Sequence, residues 1–241
     1  MNWMFRQTYD AIVPVLQRVF AVSCVHCGEQ LAQTQLQLCE ACSSEIPLTL
    51  KRIGLGSEIV PECWAMGSYR GPLGSIVRRG KYASRQHLFA SLGEFLAGAC
   101  LDLEPFDAVV SIPLPWTRLW SRGFDQSAVL SLEVSRVLDI PYFQLLQRMD
   151  PREQASKMLH ERSKNLSGRF ELHPRVDIDG IPQRVVLIDD VVTTGATFES
   201  CAMELLNIGV QRVIGVAVAS SRLSMGAVEV KKNVGKAIQI R

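Results

Sequence analysis

The chain reads as an α/β protein: a mostly parallel, twisted sheet flanked by helices on both faces, preceded by a small cysteine-rich unit. Three observations carry this. A short apolar run, Val185 to Ile188, enters an acidic pair, a glycine turn and then a helical pattern. A second run, Asp107 to Ile112, enters a proline- and arginine-rich loop and another helical pattern. Ahead of both stand two matched cysteine pairs.

The run Val185-Val186-Leu187-Ile188 is β-branched and apolar throughout, as expected of a strand buried on both faces of a parallel sheet. Asp189 and Asp190 then fall at its carboxyl end, where open α/β sheets bind ligands. Adjacent ionised carboxylates only accept hydrogen bonds, which suits vicinal hydroxyls or a divalent cation, and a sugar is the better fit. Thr193, Thr194, Gly195, Ala196 and Thr197 supply hydroxyls and a turn whose N–H groups can converge on an anion at a helix start, a place for a phosphate. Phe198, Cys201, Ala202 and Leu205 give the next helix one apolar face, and Asn207 to Gly209 stop it. Arg212 to Ala219 is the following strand, so the motif lies inside a βαβ unit.

The upstream strand leads into Pro113-Leu114-Pro115-Trp116-Thr117-Arg118-Leu119-Trp120-Ser121-Arg122-Gly123-Phe124-Asp125-Gln126. The prolines stiffen the exit from the sheet. Arg118 and Arg122 carry permanently charged forks suited to a polyanion such as pyrophosphate, and Gly123 lets backbone approach it. A helix from about Gln126 to Leu138 follows, with Leu130, Val134, Val137 and Leu138 on one face.

Cys24-x-x-Cys27 and Cys39-x-x-Cys42 are separated by eleven residues. Four thiolates in this pattern form the closed tetrahedral set of a structural zinc site, with Gly28 easing the first reversal. His26 falls between the first two ligands and is expected to be exposed. Cys63, Cys100 and Cys201 stand alone in apolar surroundings and read as small hydrophobes.

At 241 residues, 47% hydrophobic and 21% charged, the chain is long enough for one ordinary domain plus an appendage and is not of disordered composition. No stretch has the uninterrupted apolar length of a membrane span. Arg6, Asp10, Pro14 and Arg18 interrupt the apolar amino terminus, which reads as an amphipathic helix rather than a signal peptide, so a cytoplasmic location is expected. A net charge of +2 lacks the footprint of a dedicated nucleic-acid binder. The tail is more basic: Arg222, Lys231, Lys232, Lys236 and Arg241 face Glu229 alone, the pattern of a solvated tail or of a weak nucleic-acid contact. The expected divisions are an amino-terminal helix (1–23), a zinc knuckle (24–48), the α/β domain (60–220) and a basic tail (221–241).

The run Val185 to Thr197 resembles the phosphoribosyl pyrophosphate signature of type I phosphoribosyltransferases. With the Pro113 to Gln126 loop, the Lys81-Tyr82 pair, the residues Gln154, Arg162, Asn165, Leu166 and Phe170, and the cysteine pairs, the chain resembles the ComF family of phosphoribosyltransferase-like competence proteins from Cys24 to about Ser220. Asp125 departs from that family's pattern, which has Asn. The resemblance implies that Asp189 and Asp190 hold the ribose hydroxyls and are the catalytic acidic pair, and that Thr193 to Thr197 hold the 5-phosphate. It also implies that Lys81, Arg118, Arg122 and Gly123 meet the pyrophosphate, and that Mg²⁺ accompanies the ligand. Either a transferase with an unidentified acceptor, as in nucleotide salvage, or a non-catalytic sensor fits these residues, and the family implies a part in DNA uptake for natural transformation. Single-stranded DNA and DNA-uptake proteins are the partners it suggests. The polar segment Asp150 to Arg169 is expected to form a mobile cover over the site.

Overall fold

The computed structural model describes residues 22–31, 36–82, 85–149, 170–174 and 180–223. Residues 1–21, most of the tail and the expected cover, 150–169, lie outside these. The expectation of a helix reaching residue 23 is corrected. Val22–Ser23 is a strand, β1, paired antiparallel with β2 (Gln30–Leu31), because Gly28, at φ +84°, turns the chain back on itself. A one-turn helix, α1 (Glu40–Ser43), follows Cys39.

The remaining elements run β3 (Lys51–Arg52), β4 (Cys63–Ser68), α2 (Pro72–Gly80), α3 (Gln86–Cys100), β5 (Ala108–Ser111), α4 (Trp116–Arg122), α5 (Gln126–Leu138) and β6 (Tyr142–Phe143). After them come β7 (Leu146–Arg148), β8 (Phe170–Leu172), β9 (Arg184–Val192), α6 (Ala196–Asn207) and β10 (Arg212–Ser220). Six strands form one sheet in the order β3-β4-β10-β9-β5-β6. All neighbours are parallel except the edge pair β3–β4. Strands β7 and β8 form a separate antiparallel ribbon.

Alternation along β9 explains how both faces are filled. Val186 and Ile188 point into a core with Leu88, Leu92 and Leu96 of α3 and Leu130 and Val134 of α5. Val185 and Leu187 point the other way, into a core with Phe198, Cys201, Ala202 and Leu205 of α6. The expected apolar face of α6 is thus the buried one. On α5, Val129 joins Leu130 and Val134 in the core, while Val137, expected there, is exposed, since burial fades over the last turn. The cysteine unit is not an independent body: Cys24, Val25, Leu36, Leu38 and Ile46 belong to the same core as α2 and α3.

The strand order has one consequence for function. From β5 the chain winds through α5 outward to β6, whereas from β9 it winds through α6 the opposite way to β10. The order therefore reverses between β5 and β9, and the crevice at their carboxyl ends is the topological switch point.

Helices α3 and α5 approach closely at Gly93, where a Cβ would lie 2.6 Å from Glu133 Cβ and 3.2 Å from the Leu130 carbonyl oxygen. Replacing Gly93 with leucine should force the helices apart at a cost of about 3 kcal/mol, outweighing any gain in helix propensity. Urea unfolding checks this, and an unshifted midpoint would contradict the packing described.

Candidate functional site

The bonding of β9 to β5 ends at Ile188, whose carbonyl accepts the Ile112 N–H at 3.0 Å. On its other side β9 stays paired with β10 through Val192. Asp189 and Asp190 therefore do not lie past the strand's end, as its apolar run suggested. They lie inside β9, at the first positions where the β5 side is open.

Both carboxylates are supported by protein. Asp189 Oδ1 accepts from Ser127 Oγ at 2.7 Å and from the Asp190 N–H at 2.8 Å. Lys81 Nζ stands 2.7 Å from Asp190 Oδ2, an ion pair. Asp190 is 7% exposed, so the ammonium is the compensation its charge needs. Burial, and then the neighbouring Asp190 charge, push the Asp189 carboxyl up to about 7, against the opposing effects of Ser127, the Asp190 amide and Lys81. Its accessible surface makes Asp189 half-buried, yet the protein packed around it is enough to disfavour the charge.

Helix α2 delivers Lys81. Gly71, at φ +82°, and Pro72 start the helix, and Lys81 caps its far end. The loop after β5 is organised by Asp125. Its Oδ1 accepts from the Ser127 and Ala128 N–H groups, capping α5, and its Oδ2 accepts from the Leu114 N–H at 3.0 Å. The negative charge at this position therefore serves as a helix cap and a loop tie. Burial, with Asp190 as the last contributor, raises the Asp125 carboxyl despite those three N–H bonds.

Where the sequence suggested an irregular loop there is a helix, α4, bounded by Pro115 and by Gly123 at φ +80°. It carries Arg118 and Arg122 on one side and the exposed Trp116, Leu119 and Trp120 on the other. Arg122 donates to Gln126 Oε1 at 2.8 Å, next to Ser127. The Arg118 guanidinium is exposed and has no partner among the described residues.

The turn after β9 is open to solvent at Thr193, Thr194 and Ala196. Gly195 takes φ +94° at the start of α6, and a Cβ there would lie 2.7 Å from a Leu55 methyl. Glycine is thus required twice, by conformation and by space. The Thr194 hydroxyl accepts the Ala196 N–H at 3.3 Å. The crevice brings together Lys81, Asp189 and Asp190, the turn 193–197 follows β9 directly, and α4 begins in the loop that follows β5. Ser127 and Leu55 were not foreseen. Nothing in their local sequence separates them from ordinary helix and loop residues, since their partners lie 62 and 140 positions away.

The four cysteines of the pairs converge, with all four sulfurs within 4.8 Å of one another. Cys27 and Cys39 Sγ are 3.6 Å apart, too far for a disulfide and close to the roughly 3.8 Å edge of a zinc tetrathiolate. Burial opposes ionisation of Cys24, but the N–H groups of Cys27, Cys39 and His26 outweigh it and lower that thiol to about 6. Donors already turned on sulfur fit a thiolate-bound metal. His26 is exposed as expected, yet its Nδ1 lies 3.0 Å from Ser75 Oγ of α2, so it helps dock the knuckle. Cys63, Cys100 and Cys201 are buried, and burial pushes Cys63 and Cys100 up to about 12 and Cys201 well above its ordinary value. Among the described residues no helix is long and apolar enough to cross a membrane.

No family model matches the chain. Over 199 residues, 79% of this chain and 81% of the relative, it is 30% identical to "Competence protein F" of Haemophilus influenzae. The chain belongs to the competence protein F, or ComF, family. Other ComF-like relatives are "DNA utilization protein YhgH" of Escherichia coli K12 (29% identical, 75% of this chain and 83% of that protein) and "Competence protein ComFC" of Streptococcus pneumoniae (24%, 75% and 73%). Among solved structures, adenine phosphoribosyltransferase of Trypanosoma brucei overlaps with a TM-score of 0.38 at 12% identity, over 80% of this chain and 94% of that one. Glutamine phosphoribosylpyrophosphate amidotransferase of Bacillus subtilis overlaps with a TM-score of 0.38 at 18% identity, over 53% and 25%.

The Asp189 environment makes a spectroscopic prediction. Its carboxyl carbon should titrate near pH 7, and Ser127→Ala should move the midpoint upward, because the lost hydroxyl favours the ionised form. The raised pKa also sets a stability trend. The unfolded chain releases this proton near pH 4 and the folded chain near 7, so the group costs stability progressively between those values and by a constant amount above. A carboxyl titrating near pH 4 by carbon NMR would refute the buried pair.

Proposed function

We propose that the crevice between β5 and β9 binds phosphoribosyl pyrophosphate with Mg²⁺, and that this ComF-family chain uses the ligand in DNA uptake for natural transformation. The observation that carries the reading is the acidic pair on the open side of β9, followed within a few residues by a solvent-facing glycine turn at a helix start. Asp189 and Asp190 accept the ribose 2′- and 3′-hydroxyls. The turn Thr193 to Thr197 receives the 5-phosphate at the amino end of α6. Lys81, Arg118, Arg122 and Gly123 face the pyrophosphate.

In this reading Lys81 stands between the two halves of the ligand. Its ammonium already neutralises Asp190, and it adds positive charge where a leaving pyrophosphate gathers negative charge. Cleavage at the anomeric carbon develops opposite charges on sugar and leaving group, so the chain contributes chiefly by positioning and charge compensation. Mg²⁺, held mainly by the ligand's own oxygens with the acidic pair as the nearby protein carboxylates, supplies neutralisation of the pyrophosphate. Cys24, Cys27, Cys39 and Cys42 hold one structural Zn²⁺. A cytoplasmic setting, in which thiols stay reduced, belongs to the same reading.

The role in DNA uptake is supported by the names of the relatives, two of them competence proteins and one a DNA utilization protein. A direct contact with single-stranded DNA has support in α4, a short helix that carries Trp116 and Trp120, 55% and 82% exposed, on one side and Arg118 and Arg122 on the other. The zinc knuckle and the basic tail are the further surfaces for such a contact. The polar segment 150–169 is assigned as a cover on its composition alone.

Calorimetry with phosphoribosyl pyrophosphate and Mg²⁺ tests the ligand. The wild type should bind, and Asp190→Ala should weaken binding by about tenfold or more, since it removes an acceptor and strands Lys81. Binding should also tighten as pH rises through about 7, because the ionised form of Asp189 is the stronger acceptor for hydroxyl donors. No heat with the wild type would reject the reading. Pyrophosphate release across a panel of bases and amines separates a transferase from a sensor.

Metal analysis should find one zinc per chain, and Cys39→Ser should abolish it with a loss of stability. Full retention of zinc in that variant would remove Cys39 from the ligand set.

A further inference from the structure

Arg222 follows directly on β10 and was grouped by sequence with a solvated basic tail. Its side chain is instead committed to backbone carbonyls. Nε donates to the Thr193 carbonyl at 2.9 Å, Nη2 to that of Thr194 at 3.2 Å, and Nη1 to that of Gly54 at 2.5 Å. Its own N–H donates to Ser220 Oγ at 3.1 Å, and the Ser221 N–H donates to the Val192 carbonyl at 3.2 Å, which anchors the arginine's backbone beside the end of β9.

The consequence follows from peptide geometry. In a trans peptide the C=O and N–H point in opposite directions. The Thr193 carbonyl shares its peptide with the Thr194 N–H, and the Thr194 carbonyl shares its peptide with the Gly195 N–H. Holding the two carbonyls from behind therefore turns those two amides away from Arg222, toward the open side of the turn. The guanidinium also places a positive charge at the negative end of each peptide dipole, which favours an anion at the positive end. The bond to Gly54 ties in the neighbouring segment, in which Leu55 packs over Gly195 and closes the turn from the other direction.

We infer that Arg222 is a positioning residue of the anion-binding turn: it fixes the Thr194 and Gly195 amides to receive a phosphate monoester without touching the phosphate itself. The ligand half of this statement rests on the function proposed above, and the structural half does not. A lysine cannot replace the arginine, because a single ammonium lacks the planar fork that reaches three carbonyls in fixed directions.

Backbone amide relaxation on the full chain tests the structural half. Arg222→Ala should lower the order parameters of residues 193–196 from the rigid range, about 0.85, toward the flexible range, below about 0.6, while the β9 and β10 amides of the sheet keep theirs. Arg222→Lys should give part of that loss, and methylguanidinium added to Arg222→Ala should restore the rigid values. Unchanged order parameters in the turn for both variants overturn the assignment. So does a loss that methylguanidinium leaves unaltered. If Arg222→Ala loosens the whole sheet, Arg222→Lys decides, since it keeps the aliphatic stem and the charge.

Calorimetry tests the ligand half. Affinity for ribose 5-phosphate should fall roughly tenfold in Arg222→Ala, with inorganic pyrophosphate and Mg²⁺ binding held within about twofold. Equal losses for both ligands would make Arg222 a general structural residue and overturn the specific role. Absence of ribose 5-phosphate binding in the wild type would instead count against the site's proposed ligand, leaving the relaxation result to judge Arg222.

Discussion

The candidate site depends on a single mismatch in the sheet: β9 is bonded on both sides as far as Ile188 and on one side only from Asp189 onward. Were β5 two residues longer, it would cover the acidic pair, and buried carboxylates without donors would be too costly to keep. Were β9 to end at Ile188, the pair would sit in water and lose the fixed directions that Ser127 and the backbone impose. The half-open position gives both properties, directionality from the strand and access from the crevice. Reversal of winding at the same place moves α5 and α6 to opposite faces, so neither of these two helices covers the opening.

This position carries an electrostatic cost. Asp125, Asp189 and Asp190 gather at one end of the sheet, and among the described residues Lys81 is the cation paired with them. The crevice is therefore acidic at its floor, and Arg118 and Arg122 stand on α4, in the loop that follows β5. A bare polyanion would be repelled by such a floor. A polyanion carrying a divalent cation and presenting neutral hydroxyls to the carboxylates would not be, since its charges are then distributed in the same pattern as the site's. The raised Asp189 pKa expresses the same tension, because the proton it retains near neutrality stands in for the partner that a ligand hydroxyl would become.

Elements defined by contiguous residues could be read from the chain alone. The β9–turn–α6–β10 unit, helix α5 and the two cysteine pairs each bring their own period or spacing, and the structure reproduces them. What could not be read was long-range. Asp125 looked like an added charge near an anion, and only the fold shows that its two oxygens are used by three N–H groups. Ser127 gains its meaning from Asp189, and Leu55 gains its meaning from the space above Gly195. Arg222 looked like the first residue of a charge run because the carbonyls it binds lie 28, 29 and 168 positions away. Helix α4 escaped notice for a different reason: seven residues between a proline and a glycine have too short a pattern to show a period, and no buried face marks it.

The knuckle bears on the site through α2. His26, between two of the cysteines, contacts Ser75 on α2, and the knuckle's apolar residues share a core with Leu73, Ile76 and Val77 of that helix. Helix α2 ends at the residue before Lys81, whose ammonium meets Asp190. Arg79 and Arg85 line the cleft of about 600 Å³ beside Cys24 and Cys27. Those arginines flank the chain segment that holds Lys81. The four-cysteine unit thus does more than close the amino-terminal hairpin: through a short, packed helix it helps determine where the Lys81 ammonium can stand.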